Sequence, residues 1–426
     1  MKPRDFALRE LDGRRLPGWR AGTITKGASH PPADPRDLAL AEHIVVGVTK
    51  NLLLLQHLIQ HYSGRSLKSI DPAVQKILAI ALYQLRFLDR IPASAAVDEA
   101  VEQTRRFGQR RASGFVNAVL RKATRESLPE LPSHDSPAEY ARIVLSHPPE
   151  LFGKLEDLLG AEDALHFCAH DQIEPPTIVR LAHGRDASEL GGDGITVVAH
   201  ERPGMYVVKG AKRSHLADWA GRRVAQVQDP TAGAVVAHLD VKPGDVVLDR
   251  CCGLGTKTIQ LHEAVGPDGR VIAVDPASAR CEGLRRLLEQ RAIKNVSVYC
   301  AAWMNDLPPD APREFDRVLI DAPCSNSGVL ARRPEARYAQ TSQSLRSLMN
   351  LQDQILCDSA PSVKPGGMLV YSTCSVWPEE NGARVDVFVQ QHSDFEPLEE
   401  RNTLPSFDSD PARYRDGGYW AALRRK

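Results

Sequence analysis

No apolar leader opens this chain: Met1-Lys2-Pro3-Arg4-Asp5 is polar where the hydrophobic core of a signal peptide would stand. No apolar run near the N-terminus approaches the ~20 residues of a membrane-spanning helix; the longest is Leu52-Leu53-Leu54-Leu55. Eight cysteines in 426 residues are too sparse for a disulfide scaffold. Together these absences predict a reducing, cytoplasmic setting with no membrane partner. Net charge is missing too, because 54 Lys+Arg balance 54 Asp+Glu. A nucleic-acid partner must then be met by a local patch rather than by the field of the whole molecule. No internal repeat is visible. What remains is the composition of an ordinary soluble chain, 42% hydrophobic and 25% charged, long enough for two or three domains.

Residues 1–35 are rich in Arg, Gly and Pro and show little periodicity, which predicts a disordered tail. Residues 36–126 look all-helical. Asp37 precedes helically spaced Leu38, Leu40, Ala41, Ile44 and Val45, and Asp71-Pro72 opens a helix with Val74, Ile77, Leu78, Ala81, Leu82 and Leu85 on one face. Short breaks between such segments predict a compact bundle. Its basic residues are uneven: Arg105, Arg106, Arg110, Arg111, Arg121, Lys122 and Arg125 stand against Glu102 within Val101–Arg125. That cluster is either a solvated face or a phosphate-binding surface of salt-dependent affinity. Residues 127–149 read as a Pro- and Ser-rich linker. Residues 150–240 mix helix with short strands such as Ile195–Val198 and Met205–Val208. From Val246 onward strand and helix alternate, the pattern of a parallel doubly wound α/β sheet over 241–426.

The first strand of that sheet, Val246-Val247-Leu248-Asp249, runs into Arg250-Cys251-Cys252-Gly253-Leu254-Gly255-Thr256-Lys257-Thr258 and then a helix. Small residues there let a ligand approach backbone N–H groups. A second strand, Arg270–Asp275, ends in an acid placed to accept hydrogen bonds from ribose hydroxyls. The loop has neither a complete G-x-G-x-x-G nor full P-loop spacing. A nucleoside cofactor without pyrophosphate, such as S-adenosylmethionine, fits it better than a dinucleotide or ATP.

Two cysteines are placed unusually. Cys324 lies in Asp321-Ala322-Pro323-Cys324-Ser325 after the apolar run Val318-Leu319-Ile320, and Cys374 in Ser372-Thr373-Cys374-Ser375 after Met368-Leu369-Val370-Tyr371. Ligands of open α/β sheets bind outside the carboxyl ends of the strands, so both thiols can face one pocket. A soft nucleophile beside a second thiol and a carboxylate suits covalent attack on a pyrimidine ring. Cys168, Cys281, Cys300 and Cys357 read as small buried hydrophobes, and Cys251-Cys252 lack zinc-ligand spacing; no metal is expected.

The run Asp321–Ser325, with Gly328-Val329-Leu330 and Arg332-Arg333-Pro334-Glu335, resembles a signature of RNA (cytosine-5)-methyltransferases of the Sun/Fmu/Nop group. So does Tyr371–Ser375, followed by Glu379-Glu380-Asn381. Val227-Gln228-Asp229 and Asp416–Leu423 also resemble family segments, and the helical region is similar to the NusB-like domain that bacterial ribosomal small-subunit members carry. The resemblance implies a Rossmann-like, S-adenosylmethionine-dependent methyltransferase domain behind an all-α NusB-like bundle, acting on RNA, and on ribosomal RNA by kinship; a monomer is expected. It implies Cys374 as the nucleophile, Cys324 as the thiol that helps remove the carbon 5 proton and release the enzyme, and Asp321 on the cytosine edge. Cys251, Cys252, Gly253, Leu254, Gly255, Thr256 and Lys257 would hold the methionine end of the cofactor, with Asp275, Arg280 and Asp321 completing its site. Arg105, Arg106, Arg110, Arg111, Arg121 and Lys122 would meet RNA.

The chain departs from the family in three places. Its cofactor loop differs from the usual Cys-Ala-Ala-Pro-Gly-Gly-Lys, Ala302 stands where an aspartate usually neighbours the adenine, and Asn326 replaces a glycine. The competing expectation is a non-catalytic RNA-binding or assembly protein that kept the fold, with Ala302 as its main support.

Overall fold

A computed structural model describes residues 1–14, 16, 17, 19 and 30–426. The chain divides into two units, Met1–Ile173 with Arg333–Ala339, and Glu174–Arg332 with Gln340–Lys426.

The first unit is helical: α1 (Pro3–Gly13), α2 (Pro35–Lys50), α3 (Leu52–Ser63), α4 (Pro72–Phe87), α5 (Ala93–Arg106), α6 (Ser113–Arg125), α7 (Pro137–Ile143), α8 (Pro149–Leu159) and α9 (Ala161–His170). Local chemistry sets the starts. Asp34 and Asp71 each accept a backbone N–H two residues on, at 2.7 and 2.8 Å, and each precedes a proline at the first helical position. Along α4 the expected face is buried except for the half-buried Leu85, and Ala79 and Ile80 are buried as well, because α4 is the central helix and packs on α1, α2, α3, α5 and α6. Among the described residues no single helix is long and apolar enough to cross a membrane. The bent pair α2–α3 passes on composition, yet turns by 81° and lends Ile44, Val48, Leu55 and Leu58 to the bundle core.

Two expectations need correction. Residues 1–35 are not wholly a tail: α1 buries Ala7, Leu8 and Leu11, and its Asp12 meets the fully buried Lys76 ammonium of α4 at 2.5 Å. Arg-rich flanks hid this short apolar stripe, while residues 15, 18 and 20–29 lie outside the described residues. The linker at 127–149 holds α7, and the α+β part begins at Glu174 rather than 150. Residues 150–173 belong to the bundle because Leu151, Phe152, Leu155 and Phe167 are buried and α8 and α9 pack on α7, which packs on α3.

The second unit opens with a small antiparallel sheet in the order β2-β3-β1-β4, built from β1 (Ile178–Leu181), β2 (Thr196–Ala199), β3 (Met205–Lys209) and β4 (Ala225–Val227), with α10 (Arg213–Gly221). After α11 (Pro230–Ala237) comes the main sheet: β5 (Val246–Arg250), α12 (Thr256–Val265), β6 (Arg270–Asp275), α13 (Ser278–Gln290), β7 (Val296–Cys300), β8 (Phe315–Asp321), α14 (Ser342–Ser359), β9 (Val363–Thr373), α15 (Gly382–Gln391), β10 (Phe395–Thr403) and β11 (Gly418–Arg425). Its order is β10-β11-β9-β8-β5-β6-β7. Strands β5 to β9 pair in parallel, whereas β11 and β10 run antiparallel at one edge. The all-parallel expectation is corrected at that edge: β10 is mostly exposed and polar and lacks strand-like alternation. The chain moves outward from β5 through β6 to β7, then restarts with β8 on the other side of β5. That switch opens a crevice at the carboxyl ends of β5 and β8.

If α1 is part of the bundle core, Leu8→Ala should destabilise the protein by about 2–5 kcal/mol in denaturant unfolding; a tail residue would cost nothing.

Candidate functional site

At the crevice, the loop after β5 is held by its own backbone. Cys251 N and Cys252 N both donate to Val274 O on β6, at 2.8 and 3.1 Å, with Cys251 in left-handed backbone (φ +67°). Gly255 begins α12 at φ +89°, where a Cβ would lie 2.3 Å from a Leu284 methyl, so only glycine fits. Asp275, 1% exposed, accepts Gly253 N and Ala277 N at 3.1 and 2.9 Å and faces Arg280 at 3.6 Å. A cavity of about 190 Å³ lies there. Cys251, Asp275, Arg280 and Asp321 of the expected cofactor residues line it; Cys252, Gly253, Leu254, Gly255, Thr256 and Lys257 do not. Of these, Cys252 is buried and Leu254 is exposed.

Beneath the loop Asp249 is fully buried. Thr258 Oγ1 donates to its Oδ2 at 2.5 Å, while Oδ1 has no hydrogen-bond partner among the described residues. Burial pushes this carboxyl up to about 7, with Thr258 pulling the other way. Lys257 Nζ donates to Asp321 Oδ2 at 2.7 Å, and Ser372 Oγ donates to Asp321 Oδ1 at 3.0 Å. Burial works against the Lys257 ammonium, but Asp321 outweighs it and the net shift is upward; Cys374 adds to that pull.

The two cysteines emerge from adjacent parallel strands, β8 and β9, paired at Asp321 and Ser372. Their sulfurs stand 3.1 Å apart, and each cysteine is half-buried. Hydrogen bonding to Cys374, then burial, pushes Cys324 well above the ordinary thiol range, with Glu380 adding to the effect. Glu380, itself fully buried, accepts Ser325 N at 2.9 Å, Ser325 Oγ, Ser375 Oγ at 2.6 Å and Gln352 Nε2 at 3.1 Å. Asn381 Nδ2 donates to Ser375 O at 3.0 Å, and Thr373 Oγ1 donates to Asn381 Oδ1 at 2.6 Å. The C-terminal segment closes over the same loops. Gly417 N donates to Gly328 O and Gly328 N to Cys374 O, at 2.7 and 2.9 Å. Arg332 pairs with Asp416 at 2.5 Å and Asp229 at 3.5 Å.

Sequence reading missed much of the cavity wall. Arg250 lines it from inside the protein, 1% exposed, donating to the Ala302 carbonyl and standing 3.4 Å from Asp358. Ala302 is in the wall, and the half-exposed Trp303 stands beside it. Pro276, Pro323, Leu351 and Ile355 were also unassigned. They are apolar residues on separate elements, with no local signal of a site. The unassigned cysteines divide: Cys168 and Cys281 are buried, Cys357 is half-buried, and Cys300 is exposed at the end of β7.

The basic cluster sits on α5, α6 and the turn between them. Arg106 is engaged by Asp5 and Glu99, Arg105 by Glu102 and Lys122 by Glu126. The sign imbalance is therefore smaller than the sequence suggested, because Asp5 and Glu99 lie outside the window. Arg110 and Arg111 have no ion pair among the described residues.

A Rossmann-like methyltransferase domain joined to a helical NusB-type bundle is the class of protein this fold and site define. Residues 236–410 match the profile of the family described as 16S rRNA methyltransferase RsmB/F, and residues 20–125 that of the NusB family. Ribosomal RNA small subunit methyltransferase B of Erwinia tasmaniensis is 33% identical over 410 residues, covering 93% of this chain and 92% of its own. The protein of that name from Pseudomonas putida is 31% identical, with 91% and 89% covered. The crystal structure of PH0851 shares the fold, with 22% identity, coverage of 100% and 99%, and a TM-score of 0.78. The chain belongs to the RsmB/F family.

The Asp249 shift sets a pH dependence. Its folded value of about 7 lies above the ordinary 3.8, so between these values the folded state holds a proton that the unfolded chain has lost. Stability attributable to Asp249 should therefore fall as pH rises through that window, by about 1.4 kcal/mol per unit. Urea titrations across the window should show a steeper fall in the parent protein than in Asp249→Asn, where the part owed to Asp229, also raised to about 7, remains.

Proposed function

We propose that this protein methylates carbon 5 of a cytosine in ribosomal RNA, using S-adenosylmethionine, through a covalent bond between Cys374 and the base. The observation that carries the reading is the pair of sulfurs 3.1 Å apart at neighbouring strand ends, beside the Lys257–Asp321 ion pair. Simple methyl transfer to a good nucleophile needs no thiol, and carbon 5 of cytosine is a poor one.

The residues at the crevice fit the cofactor. The buried Asp275, the small-residue turn at Cys251–Gly255 and the apolar wall of Pro276, Trp303, Leu351 and Ile355 offer a ribose acceptor, backbone approach and a surface for a flat ring. When bound, S-adenosylmethionine supplies an electrophilic methyl group. Asp275 would hold the ribose, with Arg280 across from it. Asp321 keeps free lone pairs beyond its bonds to Lys257 and Ser372, so it can accept from the exocyclic amine of cytosine. Ala302 offers no carboxylate to the adenine, so that end relies on the apolar wall.

The chemistry needs two thiols in turn. Cys374 gives up its proton and its sulfur bonds to carbon 6; the electrons of the 5,6 double bond shift to carbon 5, which takes the methyl. Lys257, held on Asp321 at 2.7 Å, brings a positive charge that attracts a sulfur anion. The carbon 5 proton must then leave. Once Cys374 is bonded to the base, its hold on the Cys324 hydrogen, the largest cause of the raised Cys324 thiol, is gone. Cys324 gives its own proton to solvent and, as thiolate, takes the carbon 5 proton, while the C–H electrons restore the double bond and expel Cys374 as thiolate, which solvent reprotonates. One methyl is gained and one proton released to solvent. On the first unit, Arg110, Arg111 and Arg121 are the cations of the α5–α6 region best placed to meet phosphates; Arg105, Arg106 and Lys122 are partly neutralised by their carboxylate partners.

RNA carrying 5-azacytidine should form a covalent adduct with the wild-type protein on a denaturing gel. Cys374→Ala should give none. Cys324→Ala should accumulate adduct with unmodified RNA, because release is blocked. Wild-type protein that binds S-adenosylmethionine in calorimetry yet forms no adduct with ribosomal RNA carrying 5-azacytidine would overturn the reading.

A further inference from the structure

Asn326 lies two residues beyond Cys324 with φ +60°, a backbone region that asparagine enters more readily than most side chains. Its side chain is doubly engaged. Nδ2 donates to the Cys324 carbonyl at 3.0 Å, which fixes the amide plane and turns Oδ1 toward Cys374; the Cys374 thiol donates to that oxygen at 3.3 Å. The second neighbour of the Cys374 sulfur is Cys324 at 3.1 Å. The backbone beneath is pinned as well, since Val329 N donates to Asn326 O and Gly328 N to Cys374 O, at 3.1 and 2.9 Å. The amide is thus a fixed part of the nucleophile's surroundings.

We propose that Asn326 is a positioning residue for Cys374: its amide oxygen accepts the thiol hydrogen and so aims the sulfur between the two loops. A hydrogen-bond acceptor has a further consequence. A neutral amide oxygen favours S–H and is repelled by a thiolate, so ionisation of Cys374 must displace this contact, while Lys257 and a hydrogen bond from Cys324 favour the anion. Asn326 therefore opposes premature ionisation, and aims the sulfur along one direction while it waits. The titratable groups around Cys374 are Cys324 and Glu380 at the two loops, and Lys257 from α12 with its partner Asp321. Substitutions at residue 326 leave all of them in place.

Two substitutions separate positioning from simple support of the loop. Asn326→Gly suits φ +60° and deletes the acceptor. Asn326→Asp keeps an acceptor and adds a negative charge. The readout is the rate of iodoacetamide alkylation of Cys374 across a pH series, followed by mass spectrometry of the peptide that contains it. In Asn326→Gly, alkylation at neutral pH should rise about threefold to tenfold, the ratio one neutral hydrogen bond supplies, and the profile should move to lower pH. In Asn326→Asp, it should slow and the profile should move to higher pH. A merely structural role would move both in the same direction or alter rates without shifting the profile, and either result overturns the proposal, as does an unchanged profile in Asn326→Gly. Thermal melting and S-adenosylhomocysteine calorimetry check folding; if the glycine variant fails to fold, the aspartate variant decides alone, since its expected shift has a definite sign. The proposal rests on Cys374 as nucleophile. Absence of an RNA adduct in the wild type would remove that assignment, whereas the alkylation profiles judge the Asn326 contact by themselves.

Discussion

The carboxylate of Glu380 is the point on which the two cysteine loops depend. The two thiols come from loops 50 residues apart in sequence, and adjacent parallel strands bring the loop starts together without fixing the loop tips. Glu380 does the latter, because its two oxygens accept from Ser325 on one loop and Ser375 on the other. Its own position is secured by Gln352 of α14 and by Tyr371, whose hydroxyl donates to the Glu380 carbonyl at 2.7 Å. A buried carboxylate is costly unless its lone pairs are met, and here donors from three elements meet them. The energy that would be lost by leaving it bare is what holds the two loops to one geometry.

Further layers reinforce this arrangement. The Arg332–Asp416–Asp229 cluster holds the segment before β11 against α11 and the Cys324 loop. Burial and the neighbouring Asp416 push Asp229 up to about 7 despite Arg332, so the cluster is under electrostatic tension that one guanidinium only partly relieves. At Gly328 a Cβ would fall 2.6 Å from the Gly417 backbone, so the closing segment can lie directly on the thiol loop only where both residues lack side chains. On the other side of the crevice, Lys257 ties the Cys251–Lys257 loop to Asp321. That loop, the Cys324 loop and the closing segment thus meet at residues 321–328.

Much of this was legible from the chain because its signals are local. The runs Val246–Asp249, Arg270–Asp275, Val318–Ile320 and Met368–Tyr371 carry the sheet and its crevice, and Asp71-Pro72 marks the start of α4; α2 starts earlier than Asp37 suggested, with Asp34 as its cap. Less was legible where partners are distant. The apolar stripe of α1 is short and flanked by Arg-rich sequence, so only packing on α4 reveals it. Strand β10 is held by pairing with β11 rather than by its own pattern. Arg250 carries no local signal of burial, yet Asp358 and the Ala302 carbonyl let it lie buried. Glu380 stood within a recognised motif, but nothing in its spacing says that it bridges two loops. Asn326 looked like a departure from a glycine pattern; its left-handed backbone shows how asparagine keeps the loop conformation while gaining a contact that glycine lacks.

The central claim is that Glu380 holds Cys324 and Cys374 as a close pair. Phenylarsine oxide binds two thiols together and tests this directly, with Cys324→Ala supplying the background from the other cysteines. The wild-type protein should bind one arsenical at this pair, and Glu380→Ala should weaken that binding by at least about tenfold, the equivalent of about 1.4 kcal/mol, while still binding S-adenosylhomocysteine. Undiminished arsenical binding in a folded Glu380→Ala protein would contradict the account.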